Sequence, residues 1–340
     1  REIAAAWESA IDKTTGSASA IKTFKNTELG ETWVEEGEAP DWQQLLERRE
    51  DYRIGSVPRG GLLLVGGADV QKDRIEVSVW AFGRGKTAWL VEHRVLMGDT
   101  ARDAVWTQLR ALLAETWTHA GGAQLPLARF AIDTGFATQE AYAFVRACRD
   151  SRVMAIKGAA RGAALIGTPT AVDVTVAGKK LRRGVKVYTV VVGIAKQALY
   201  QHLRLHADVA EDGLTPVYPA GYIHLPKVDA EFLQQLCAEQ LITRRDRSGY
   251  AVREWQKLRE RNEALDWYVY ARAAAAAAGL DRFEDRHWRE LERSLGIART
   301  NDPPPIATTT GPEEATDHGG LSASARPNRR RVVKSRWLHR

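Results

Sequence analysis

Glu263 and Asp266 stand three residues apart in RNEALDWYVYARAAAAAAG, residues 261–279. A stretch this rich in alanine reads as one helix, and residues three apart lie roughly 60° from each other around a helix. Both carboxylates can therefore face one point. Acids in a first helical turn are also explained by the helix dipole alone. The chemical alternative is that they help to hold a metal ion, which requires partner carboxylates elsewhere. Asp69 and Asp133 each close an apolar run, GLLLVGGADV (61–70) and LARFAIDTG (127–135), and Lys157 closes a third, RVMAIKG (152–158). A strand ending in Asp is commonly no more than a turn or a helix cap. Several such ends on compatible elements form a hard-oxygen site with no His or Cys, suited to Mg²⁺ or Mn²⁺ rather than zinc. Two such ions about 4 Å apart can activate a water and stabilise the leaving oxygen of a phosphodiester. A lysine beside them offsets charge developing on phosphate.

The elements that must position these groups can be read from the same sequence. The run ending at Asp69 has the continuous hydrophobicity of a strand buried on both faces. RIEVSVWAF (74–82) alternates, and TAWLVEHRVL (87–96) follows GRGK, so the three read as an antiparallel meander. Helical spacing is expected in DAVWTQLRALLAETW (103–117), TQEAYAFVRACRD (138–150) and AKQALYQHLRL (195–205), with a surface helix in DWQQLLERREDY (41–52). The strands ending at Asp133 and Lys157, VKVYTVVVG (185–193) and the short GYIHLP (221–226) complete an α/β pattern with a mixed sheet. Crossover helices make the later strands parallel to the first. Their carboxyl ends then share one edge, the usual place for a site in such sheets.

Composition narrows the class. A chain of 340 residues with 44% hydrophobic content can build one large domain or two modest ones. It has no apolar run of membrane-spanning length and no secretory signal, and it begins with Arg rather than Met, as an excised or processed chain would. Cys148 and Cys237 make no disulfide framework and match no zinc spacing, which points to a reducing compartment. The net charge of +6 is misleading. Residues 319–340 hold seven Lys or Arg and no acid, so without them the charge is −1. Nucleic acid, if bound, must meet a local stripe.

The order of these segments resembles a known family. GADVQKDRIEVSVWAFGRGKTAWLVEHRVLMGD, IDTGFATQEAYAFVRACRD, AIKGA, GYIHLP and RNEALDWYVYARAA are similar to successive motifs of the nuclease domain of the lambda-like phage terminase large subunit. TFKNTELGETW (23–33) resembles the linker that follows that family's ATPase domain, and the resemblance covers roughly residues 20–280. It implies an RNase H-like α/β fold, a mixed central β-sheet flanked by helices. It implies a Mg²⁺- or Mn²⁺-dependent endonuclease that cuts concatemeric double-stranded viral DNA with two ions during packaging, in the host cytoplasm. By position, Asp69 and Asp133 correspond to metal ligands, Lys157 to the lysine of an IKG motif, and Glu263 and Asp266 to the acids of NEALD. Which of that last pair binds metal stays open; both are carried, with Asp266 preferred. The implied partners are DNA, the terminase small subunit and the portal or procapsid.

The resemblance also sets expected boundaries: a linker or N-terminal extension over 1–60, the nuclease domain over 61–300, and a disordered basic tail over 301–340. The ATPase domain of the family is absent from this chain, which should not bind ATP. Gly193 stands where the family commonly has Asp before the helix at Lys196, and reads as a capping change. Two rivals remain: a docking module of the same fold with purely structural acids, and a recombination nuclease or integrase.

Other signals are weaker. GRGKT (83–87) lacks the first Gly of a phosphate-binding loop, Trp80 standing in its place, and precedes a strand-like segment, so it reads as a hairpin turn. His202 and His206 share helical spacing but lack a third ligand and read as surface histidines. Trp255, Trp267 and Tyr270 read as core. The basic run Arg244, Arg245, Arg247, Arg253, Lys257, Arg259 and Arg261 is either a solvated face or a phosphate-tracking stripe leading into the site. The tail cluster around Arg329–Arg331, Lys334 and Arg336 has no assigned role beyond contact with DNA or a partner.

Overall fold

The computed structural model describes residues 39–176, 179–245 and 248–297. The segment 23–33, Arg247 and the basic tail lie outside the described residues. The chain divides into two compact units, Arg1–Ala39 with Glu239–Leu258, and Pro40–Ala238 with Arg259–Arg340.

The larger unit opens with α1 (Trp42–Glu47), which Asp41 caps by accepting from the Gln43 amide, and the short strand β1 (Ser56–Val57). The meander follows as β2 (Leu63–Val70), β3 (Arg74–Phe82) and β4 (Ala88–Met97). A 3-10 turn at Arg84–Lys86 joins β3 to β4, so GRGKT is a turn between strands. Next come α2 (Asp103–Leu113), β5 (Thr116–His119), β6 (Gln124–Pro126), β7 (Arg129–Asp133), α3 (Thr138–Cys148) and β8 (Val153–Ala159). Beyond these lie β9 (Thr170–Val176), β10 (Lys179–Val191), α4 (Val192–Leu203), β11 (Asp208–Val209), β12 (Pro216–Val217), β13 (Ile223–His224) and α5 (Ala230–Leu236). In the smaller unit, β14 (Glu239–Arg245) and β15 (Ala251–Lys257) pair as an antiparallel hairpin. The larger unit resumes with α6 (Glu263–Ala277) and α7 (Asp285–Ser294).

Among the described residues, eight strands form one mixed sheet in the order β13-β4-β3-β2-β7-β8-β10-β9. β4, β3 and β2 run antiparallel to one another, whereas β2, β7, β8 and β10 are parallel neighbours. This is the expected mixed α/β sheet flanked by helices. The crossovers through α2 and α3 place the ends of β2, β7 and β8 on one edge, as the sequence required.

Three expectations need correction. The helix expected over 103–117 stops at Leu113, and Trp117 belongs to β5, which with β1 and β6 makes a separate three-stranded sheet. The helix expected over 41–52 is only α1. The basic run before α6, read as polar connection, is largely the β14–β15 hairpin. Its strands, EQLITRR and AVREWQK, carry charged side chains on both faces, so no apolar alternation marked them.

α6 is buried almost all round, as an alanine-rich helix against a sheet must be. Trp80 of β3 meets Tyr268 edge-on at 5.0 Å between ring centres, fixing the sheet face that α6 covers. The approach is close: a Cβ on Gly67 of β2 would lie 2.6 Å from the Ala271 amide nitrogen and 2.7 Å from the Tyr270 Cβ. Only glycine lets the helix backbone settle onto the strand there. The opposite face carries Tyr142 of α3, packed with Ala155, Val174, Val185 and Val187.

Candidate metal centre

The pleat sorts the candidate residues by face. Gly67 pairs with Ala131, and Ala68 with Ile132, on the parallel strands β2 and β7. Asp69 and Asp133 are the next residues along, on the same face as Gly67 and Ala131, which is the α6 face. Both are half-buried. Asp69 accepts from Gln71 Nε2 at 3.0 Å, and Asp133 accepts from the Gly135 amide at 3.1 Å. Thr134 pins the end of β7 to β8 by donating its hydroxyl to the Ile156 carbonyl at 2.8 Å.

Burial pushes the Asp69 carboxyl up to about 6, with Asp133, Glu76 and Glu263 raising it further and Gln71 opposing. Burial also raises Asp133; hydrogen bonds from Gly135 and Thr134 oppose this, the Asp266 charge adds to it, and Lys157 lowers it. Tyr270 is driven well above its ordinary value, first by burial and then by Asp133, Asp266 and Asp69. The acids from β2, β7 and α6 thus act on one another through a shared field.

Within the first turn of α6, Glu263 and Asp266 have different surroundings. Glu263 Oε1 receives Arg261 Nε at 3.3 Å and lies 3.8 Å from Arg74 Nη2. Asp266 Oδ2 accepts from Asn262 Nδ2 at 3.1 Å, and Oδ1 lies 3.5 Å from Lys196 Nζ. Asn262, the N-cap residue, therefore uses its side chain on Asp266 instead of on the helix amides. Gln235 of α5 accepts from the Ala264 amide at 3.4 Å in its place.

Lys157 is placed differently. Asp133 pairs with Ile156, so the pleat directs Lys157 toward the face opposite the acids. It remains exposed at the carboxyl end of β8, near enough to act on Asp133.

The structure adds residues that the sequence reading missed. Glu76 pairs directly with Asp69 across β2 and β3 and is 1% exposed. Like charges directly opposite on a sheet are unfavourable. Arg74, two residues earlier on the same face, donates Nε to Glu76 Oε1 and reaches toward Glu263. Lys196 of α4 is buried beside Asp266. The register of the meander was the only signal that could have found Glu76; nothing local marked Lys196. Gly193 lies within α4 rather than at its cap, which is Val191, so the expected capping change is not what that residue does.

The donor set fits a hard divalent cation. All the acids offer oxygen, and the buried Oε2 atoms of Glu76 and Glu263 have no hydrogen-bond partner. The fit is one of donor chemistry rather than of a finished cage. Among the described residues, no three His, Cys, Asp or Glu side chains are already gathered to hold an ion.

The family profile described as "Terminase large subunit gpA, endonuclease domain" matches residues 1–288. The chain belongs to the terminase large-subunit endonuclease family. The terminase large subunit of Escherichia phage lambda is 32% identical over 269 residues, which is 77% of this chain and 40% of that protein. The terminase large subunit of Enterobacteria phage P21 is 31% identical over 260 residues, 75% of this chain and 39% of that protein. The chain thus spans about two fifths of the length of these curated relatives. Among solved structures, the large terminase nuclease of thermophilic phage G20c aligns with a TM-score of 0.33 at 16% identity, covering 69% of this chain and 87% of that one. The large terminase nuclease domain of bacteriophage SPP1, solved with bound Mn, aligns with a TM-score of 0.28 at 10% identity, covering 66% and 87%.

The remaining expectations divide. Trp267 and Tyr270 are buried, while Trp255 lies half-buried on β15. His206 is exposed and lies beyond the end of α4, so it shares no helical face with the half-buried His202. Arg244, Arg245 and Lys257 belong to the hairpin unit. Arg259 and Arg261 precede α6 and both reach Glu231, Arg259 at 3.1 Å and Arg261 at 4.0 Å. Among the described residues, no helix is long and apolar enough to cross a membrane.

Proposed function

We propose that this chain is a metal-dependent endonuclease domain that cleaves concatemeric double-stranded DNA by two-metal phosphodiester hydrolysis during genome packaging. The observation that carries the proposal is the register of Asp69 and Asp133 at one sheet edge, under the helix that brings Glu263 and Asp266. Mg²⁺ or Mn²⁺, when bound, would supply the Lewis acidity that makes a water nucleophilic and neutralises the leaving oxygen. Asp69, Asp133 and Asp266 would hold the ions, with Glu263 in support. Lys157, exposed at the end of β8, would steady a phosphate at the rim. Arg244, Arg245, Arg247, Lys257, Arg259 and Arg261 would track the DNA backbone. Family membership supports a packaging setting, with the terminase small subunit and portal or procapsid as partners in the host cytoplasm.

The test is nicking and linearisation of plasmid DNA by the purified chain with Mn²⁺, Mg²⁺ or EDTA, beside folded Asp69→Ala and Asp133→Ala variants. Cleavage that needs metal and is lost in both variants is expected. Metal-dependent cleavage that survives both would remove these acids from the mechanism. No cleavage and no metal binding would favour a docking module, and preference for branched DNA a recombination nuclease.

A further inference from the structure

Lys196 is 6% exposed, and its ammonium stands 3.5 Å from Asp266 Oδ1. Lysine is almost never enclosed to this degree without a partner. Joining α4 to α6 does not require a charge, because an apolar side chain of similar volume does so without desolvating an ammonium. The electrostatics of the face give a reason. Asp69 and Asp133 lie on the sheet face that α6 covers, Glu263 and Asp266 stand in the first turn of α6, and Glu76 stands directly across from Asp69. Arg74 offsets Glu76 and Glu263, whereas Lys157 is directed away from this face. At Asp266 that office falls to Lys196.

We propose that Lys196 is the resident counter-cation of the nuclease site: it offsets the charge of Asp266 when no metal is bound and competes with a divalent ion for that carboxylate. This rests on the reading of Asp266 as a ligand, proposed above. The residue then sets how much free Mg²⁺ or Mn²⁺ the site needs before it loads. Two effects oppose each other. A carboxylate held in orientation binds metal better, while a neighbouring positive charge repels the ion. Asn262 already fixes the other oxygen of Asp266, so orientation survives loss of the ammonium. The repulsion is doubled by the ion's double charge. Competition dominates.

The experiment is calorimetric titration of Mn²⁺ into the whole chain, as wild type, Lys196→Met and Lys196→Arg, with thermal melts of each in EDTA and in Mn²⁺. Met keeps the unbranched stem and removes the charge. Lys196→Met should bind Mn²⁺ about tenfold more tightly, melt lower in EDTA and gain more from Mn²⁺, while Lys196→Arg stays close to wild type. A Lys196→Met chain that folds only with Mn²⁺ is the extreme form of that result. If it folds in neither condition, Lys196→Gln carries the same expectation. Unchanged or weaker Mn²⁺ affinity in the neutral variant, with melting shifted equally in both conditions, overturns the inference and leaves Lys196 a packing residue. Absence of Mn²⁺ binding by the wild type itself overturns the metal-centre reading, and this inference with it.

Discussion

Asp69 and Asp133 stand at matching positions of neighbouring parallel strands, each one residue beyond the paired Ala68 and Ile132. Two acids in that relation on a half-buried face must feel each other, and the Asp133 charge is among the causes that raise Asp69. Replacing Asp133 by Asn should therefore lower the Asp69 pKa. The fall should be partial, because burial is the larger cause and remains. Carboxyl-carbon NMR titration in EDTA reads this directly. An Asp69 titration unmoved from about 6 would mean that the two carboxylates are not electrostatic neighbours.

The same shift predicts how the metal-free chain responds to pH. Asp69 holds its proton more tightly folded, up to about 6, than in the unfolded chain at its ordinary 3.8. The folded state binds more protons between those values, so this group's contribution to stability falls as pH rises from about 4 through about 6. The change is at most roughly 3 kcal/mol. Asp69→Asn should flatten that part of the profile. Melting temperatures in EDTA across this range measure it, and parallel profiles for wild type and variant would count against the shift.

What the sequence made legible divides along physical lines. The runs ending at Asp69, Asp133 and Lys157 were readable because strands buried on both faces must be apolar throughout. The helix carrying Glu263 and Asp266 was readable because nothing but a helix suits such an alanine run. Trp117 was misassigned because its spacing continues that of α2, and only pairing with β6 makes it a strand residue. The β14–β15 hairpin was missed because charged side chains occupy both of its faces. Glu76 and Lys196 looked like the polar sides of an amphipathic strand and helix. What buries them is the identity of the neighbour across the sheet or the helix interface, which no local window contains.

Gly67→Ala tests how tightly α6 must sit on the sheet. The added methyl would meet the Ala271 amide nitrogen and the Tyr270 Cβ below contact distance, and backbone cannot rotate aside as a flexible side chain can. Overpacking of this kind costs about 1–3 kcal/mol. Because the same helix carries Glu263 and Asp266, the variant should lose Mn²⁺ affinity as well as melting temperature. Thermal melts and Mn²⁺ titration check both, and wild-type behaviour in each would mean that the helix has slack the close contact denies.

The hairpin arginines should differ in their share of DNA binding. Arg244 is neutralised within β14–β15 by Glu254, 2.8 Å away, whereas Arg245 donates to a neutral carbonyl, that of Gly249, at 3.1 Å. A phosphate meeting Arg244 must compete with an existing carboxylate; one meeting Arg245 need not. Each phosphate neutralised contributes about 0.9 to the slope of log affinity against log salt. Arg245→Ala should therefore reduce that slope by about 1, and Arg244→Ala by clearly less. Fluorescence anisotropy with a duplex in EDTA, over a salt series, gives both slopes without cleavage. Equal slopes in wild type and both variants would remove the hairpin from the DNA path and leave its charges as a solvated face.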